Sequence, residues 1–307
     1  MANLDSWNMG CCIPKEVMGE KGLIPTRQKF LRSLSLTTLG ACIHAESMDG
    51  LKNFKCLREF TWRGLKMSQN QRYLEPLLRE CAKYLKCLEL EQQFNINENM
   101  NPIELLLFTE SGSSQTDVDS SLAPTFPDLR SLTLGQADFS DVLHRLSPTF
   151  RFENLHTLKL RYCDGAMSFL HRLTPFDERF VGLRVFEITH EVECPRPLGP
   201  DISQRTVDKC LQSFRNLEEL NLSLTKPVRP AVFDIQRPFN RYCTSLKRFI
   251  LHTGGSIDPI KASRLDLTIF WLPNLWIWFR VTGLEAIGLT VDPPCMVCVI
   301  CNMVVHR

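Results

Sequence analysis

Phe126–Leu134 reads FPDLRSLTL, and the same frame returns as FENLHTLKL at 152–160, FVGLRVFEI at 180–188 and FRNLEELNL at 214–222. Each copy holds a phenylalanine, a leucine three residues later, and apolar residues three and five positions beyond that leucine. Within LRSLTL the alternation sends Leu132 and Leu134 to one side of an extended strand, and Ser131 and Thr133 to the other. One such strand cannot bury its own apolar flank, so copies must stack.

Anchors of the same pattern stand at Leu31, Leu57, Leu85, Leu129, Leu155, Leu183, Leu217 and Leu246, at intervals of 26, 28, 44, 26, 28, 34 and 29 residues. Leucine is common enough that the pattern alone proves little. The spacing carries the reading, together with the phenylalanines three residues ahead of the anchor at Phe54, Phe126, Phe152, Phe180 and Phe214. A recurrence of 26 to 29 residues falls in the leucine-rich-repeat window. The expected fold is an α/β leucine-rich-repeat solenoid, with a curved parallel sheet on its concave face and short helices on its convex face.

Between anchors the apolar period changes to that of a helix. Val207, Cys210, Leu211 and Phe214 follow the i, i+3, i+4, i+7 spacing behind Ser203 as an N-cap, and Leu74, Leu77, Leu78 and Cys81 repeat it. SDVLHRL and AMSFLHRL are shorter helical segments, and NPIELLLF at 101–108 reads as the return helix of the third repeat. The long interval holds a polar insertion near 109–123, and the Pro-rich ECPRPLGPD lengthens a later one. The expected organisation is an irregular N-terminal cap over 1–29, a solenoid over 30–291 and a tail over 292–307. Both Leu272 and Leu284 could open the last repeat. Trp271, Trp276 and Trp278 read as cover for the end of the array.

Composition narrows the functional classes. With 36 basic and 34 acidic residues the formal charge is +2, which supplies no bulk field for nucleic acid. The longest apolar run, LTIFWLPNLWIWF, is interrupted by Pro273 and Asn274 and is too short to span a bilayer. The first residues lack the basic and apolar regions of a secretory signal, so an intracellular, cytoplasmic or nuclear location is expected. Thirteen cysteines without framework spacing read as reduced thiols, adjacent Cys11 and Cys12 included.

No phosphate-binding glycine loop, His-Glu-x-x-His or Gly-x-Ser-x-Gly elbow occurs, and no cofactor is implied. His144 and His171 precede Arg145 and Arg172 in successive short helices, which is repeat symmetry and not a catalytic pairing. The expectation is a protein without enzymatic activity. One alternative is a metal site in the tail, where Cys295, Cys298, Cys301 and His306 are donor types that zinc accepts. Bulky Met296, Val297, Val299 and Ile300 between them do nothing to turn the chain.

FPDLRSLTLGQADF, FENLHTLKLRYCDG and FRNLEELNLSL resemble the repeats of F-box-type leucine-rich-repeat proteins, and the resemblance extends over about residues 25 to 290. Cys163, eight residues after Leu155, sits as in the cysteine-containing repeat subtype. The resemblance implies substrate recognition for a ubiquitin ligase, with an adaptor subunit as a second partner. Residues 1–29 lack the Leu-Pro-x-Glu-Leu opening of an F-box. On the solenoid reading, a protein ligand would meet the variable strand positions, of which the charged ones are Glu59, Arg63, Glu89, Glu91, Lys159, Arg161, Glu187, Glu219 and Arg248.

Overall fold

The computed structural model describes residues 4–10, 13–38, 48–93, 103, 106, 125–139, 149–166, 169–170, 180–190, 209–224, 245–253 and 285–290. The architecture is α/β, built on parallel strands with few helices. The chain divides into two compact units, residues 1–157 with 163–166 and residues 158–162 with 167–307.

The first unit carries β1 (Ser6–Gly10), β2 (Ser33–Thr37), β3 (Glu59–Leu65), β4 (Cys87–Gln92) and β5 (Ser131–Gly135), ordered as in the chain and pairing parallel throughout. Leu34, Phe60, Leu88 and Leu132 share one row, and Leu36, Trp62, Leu90 and Leu134 the next. All eight are 3% exposed or less. The alternation read from the sequence therefore has its cause in this apolar face. The long insertion leaves the register intact, since Leu88 still pairs with Leu132.

The anchors and their phenylalanines sit behind the strands. Leu31, Leu57, Leu85 and Leu129 are buried, as are Phe54, Phe126 and Phe152. Phe126 stacks on Phe150 with ring centroids 5.1 Å apart, a contact between consecutive turns of the repeat. Return segments are a 3-10 turn at Asp49–Asn53 and the helix α3 (Met67–Cys81), numbered after the short α1 (Lys15–Met18) and α2 (Leu23–Arg27). Leu74, Leu77, Leu78 and Cys81 of α3 are buried as the helical spacing requires. No side chain caps α3 from Lys66; the buried Asn70 reaches back instead, its Oδ1 accepting the Lys66 amide at 2.8 Å.

The second unit carries β6 (Thr157–Arg161, its first residue counted with the first unit), β7 (Val185–His190), β8 (Glu219–Leu224), β9 (Arg248–Thr253) and β10 (Ala286–Thr290), again in chain order. Phe186, Leu220, Phe249 and Ile287 form one row and Ile188, Leu222, Leu251 and Leu289 the next. Phe180 and Phe214 meet edge to face at 5.7 Å behind them. Cys210 and Leu211 lie in a helical stretch at 209–213 and are buried, in keeping with the return helix read from the sequence.

One sequence expectation is corrected here. The described part of residues 1–29 is not irregular, because Trp7 and Met9 of β1 register with Leu34 and Leu36 and two short helices follow. The signal was weak because a tryptophan and a methionine stand where later rungs have leucines. Thr133 keeps its place in the row with Glu89 on the side away from Leu132 and Leu134, and is only 5% exposed there. It is a short side chain in register with the longer Glu89. The choice between Leu272 and Leu284 is also decided. β10 begins two residues after Leu284, as β9 begins two after Leu246, and it pairs with β9, so LEAIGL supplies the rung beside β9. The polar insertion near 109–123, the Pro-rich segment, Cys11, Cys12, His144, His171 and the three tryptophans lie outside the described residues.

The passage between rungs is fixed at one glycine. Gly64 has φ +77°, and a Cβ there would run into the Thr38 carbonyl oxygen. The buried Thr38 hydroxyl donates to the Gly64 carbonyl at 2.8 Å and accepts the Trp62 indole N–H at 3.1 Å. Cys163 has a similar task, its Sγ donating to the Leu134 carbonyl at 3.3 Å. Ile103 and Leu106, within NPIELLLF, are helical and fully buried.

Candidate functional site

The face opposite the apolar rows carries the variable residues, and in each unit it is a grid set by strand register. In the first unit one row runs Ser35, Thr61, Glu89, Thr133, and the next runs Thr37, Arg63, Glu91, Gly135. Gly135 is there for want of space, because a Cβ would come within 2.6 Å of the Glu91 Cγ. In the second unit Glu187, Asn221, Ile250 and Gly288 form one row, and Val185, Glu219, Arg248 and Ala286 another.

The charges read from the sequence as partner contacts largely meet one another. Arg63 Nε donates to Glu89 Oε1 at 2.7 Å on a diagonal between β3 and β4. Arg161 Nε donates to Glu187 Oε1 at 2.7 Å, and Lys159 Nζ stands 3.6 Å from Glu187 Oε2. Glu187 is the most enclosed of these groups, its side chain 12% exposed between two cations. Arg248 approaches Glu219 at 3.4 Å, an exposed pair of little energetic weight. Glu59 is exposed and Glu91 half-buried. Sequence reasoning named the charges but not their pairing, because pairing depends on a register that a single strand does not reveal.

A second set of charges, which the sequence reading passed over, lies one residue before each strand. In the second unit Arg184, Glu218, Lys247 and Glu285 occupy this row. The Arg184 carbonyl accepts the amides of both Glu218 and Glu219, the Glu218 carbonyl those of Lys247 and Arg248, and the Lys247 carbonyl those of Glu285 and Ala286. Signs alternate, and Glu218 bonds Lys247 at 2.8 Å and Arg184 at 3.2 Å. The hydrogen bond from Lys247 holds the Glu218 carboxyl below the usual carboxylate range, and the same bond raises the Lys247 ammonium. The visible signal was the residue directly after each anchor leucine.

Nucleophiles are few on these faces. Burial raises the Cys81 thiol to about 11 and raises Cys210 further, so both are held as neutral thiols. Cys87 is half-buried in the grid between Glu59 and Ser131, and burial followed by the Glu59 charge raises its thiol as well. Among the described residues no three His, Cys, Asp or Glu side chains gather as metal ligands. Cys295, Cys298, Cys301 and His306 lie outside the described residues. Among the described residues no helix is long and apolar enough to cross a membrane.

No family model, no curated protein and no solved structure matches the chain.

Proposed function

We propose that the chain is a non-catalytic interaction protein of the leucine-rich-repeat kind, holding a protein ligand on the polar face of its parallel strands. The observation that carries this reading is the two-sided strand. Within each unit one side is an apolar seam in register, and the other is a grid of polar and charged side chains placed rung by rung. Such a grid suits a ligand of mixed charge, whose own acids and bases exchange with the intramolecular pairs. A narrower version, resting on resemblance to F-box-type repeats, makes the bound protein a target for ubiquitin transfer.

The test is recovery of a bound protein by the full chain and by variants Lys159→Glu and Glu219→Lys. Loss of recovery with an unchanged melting temperature supports binding through this face. Undiminished recovery with both variants contradicts it. The narrower version further requires co-purification with a ligase adaptor subunit, and a purified complex lacking any adaptor reduces the reading to a scaffold.

A further inference from the structure

The row of charges before each strand has a counterpart in the first unit, with a different composition. The carbonyl of Asp5 accepts the amides of Arg32 and Ser33, that of Arg32 accepts Arg58 and Glu59, that of Arg58 accepts Lys86 and Cys87, and that of Lys86 accepts Arg130 and Ser131. Four cations therefore follow one another at the parallel-strand spacing of about 4.8 Å, a strip about 14 Å long. Among the described residues Arg32 forms an ion pair, with the exposed Asp5 at 3.6 Å. Among the described residues Arg58, Lys86 and Arg130 form no ion pair.

The sequence repeats more than the cation. Lys-Phe-Leu-Arg at 29–32, Lys-Cys-Leu-Arg at 55–58 and Lys-Tyr-Leu-Lys at 83–86 give three consecutive rungs a second cation, each a lysine, and two of them an aromatic ring. Those rings are exposed, Phe30 by 67% and Tyr84 by 48%, where the phenylalanines three residues before the anchors, Phe54, Phe126, Phe152, Phe180 and Phe214, are buried. Lys83 Nζ lies 4.8 Å over the Tyr84 ring. Like charges set side by side oppose folding, so the strip gains nothing for stability. The second unit shows that the same position can be neutralised by alternation.

We propose that this strip, Arg32, Arg58, Lys86 and Arg130 with Phe30 and Tyr84, docks an extended acidic segment of a partner protein. The choice of a protein over a nucleic acid comes from the strands that follow the strip. Exposed Glu59 comes directly after Arg58, and Glu91 and the Arg63-paired Glu89 stand further along, so a uniformly anionic backbone laid across them would be repelled. A peptide places acids on the strip and neutral or basic residues against the glutamates. The proposal rests on the protein-binding reading above and adds the chemistry of the ligand.

The test is fluorescence anisotropy with the full chain and a labelled Glu-Ser repeat peptide, at low and near-physiological salt. A Gln-Ser peptide and single-stranded oligothymidine serve as comparisons. The Glu-Ser peptide binds in a salt-dependent manner, and the double variant Arg58→Glu/Arg130→Glu weakens it by ~tenfold or more. Arg58→Gln/Arg130→Gln relieves repulsion, so it keeps the wild-type melting temperature or raises it while still weakening binding several-fold. Lys247→Gln in the second unit changes binding by less than about twofold. Absence of peptide binding, indifference to both double variants, or tighter binding of oligothymidine overturns the proposal. Failure here with capture still sensitive to Lys159→Glu and Glu219→Lys removes the strip alone; insensitivity of both assays removes the protein-binding reading as well.

Discussion

The two units solve the same structural problem with the same main-chain device and then diverge at one side-chain position. In the second unit the residues before the strands read Arg184, Glu218, Lys247, Glu285, and each charge lies beside its opposite. In the first they read Arg32, Arg58, Lys86, Arg130, and the charges lie beside their like. Both rows hang on bifurcated backbone bonds, and every described leucine directly before them is buried, so neither sheet pairing nor core accounts for the difference. Charge ladders on a repeat surface are therefore not set by the fold. One row has been used to neutralise itself and the other has been left available.

The comparison is broken most severely if the cores behind the two rows are unequal. Phe54 and Phe214 are both 0% exposed and hold the same repeat position. Phe54→Ala and Phe214→Ala should each cost about 3–5 kcal/mol in urea unfolding. A loss in one unit alone would mean that only that unit is a packed repeat. Next in size is Gly64→Ala, which places a Cβ against the Thr38 carbonyl at positive φ. A loss of about 1–3 kcal/mol is expected, with disturbed fluorescence of Trp62, whose indole is bonded to Thr38.

The edge rows themselves should respond in opposite directions. Glu218→Lys turns the alternating row into three adjacent cations and should lower stability by less than about 1 kcal/mol, an effect that added salt reduces. Arg58→Glu inserts an acid between Arg32 and Lys86 and should raise the melting temperature slightly at low salt. If both variants destabilise equally, the rows do not differ as described.

The smallest effect is a pH dependence. The Glu218 carboxyl is depressed in the folded chain, so its contribution is present above the ordinary carboxylate range and is lost as pH falls through the depressed value. Lys247 is raised, so its contribution is complete below the ordinary lysine range and disappears as pH climbs through the raised value. The pair therefore acts across the whole neutral range. Melting temperatures of the wild type and Glu218→Gln should converge at acid pH and separate above it.

Much of the sheet was legible because the determinants are local. The leucine at each anchor, the alternation after it and the phenylalanine before it each report a burial that one rung imposes on its own sequence. β1 was missed for the converse reason, since Trp7 and Met9 satisfy the same apolar face without a leucine or a preceding phenylalanine. The candidate site was legible only in part. Its residue types stood in the open, but the diagonal Arg63–Glu89 pair and the clasp of Lys159 and Arg161 on Glu187 exist only once strands from distant segments are laid in register. The strip was invisible within any single repeat, each of which shows one unremarked basic residue after a leucine. Stacking the repeats makes it a row.

Everything rests on the rungs of the first unit being parallel and in register across the long insertion, and methyl NMR measures that directly. In a deuterated sample with labelled leucine methyls, cross-peaks are predicted between Leu88 and Leu132 and between Leu90 and Leu134. Absence of both, with Leu88 and Leu90 showing no contact to any residue of 131–135, would contradict the stacked arrangement and the cation strip that depends on it.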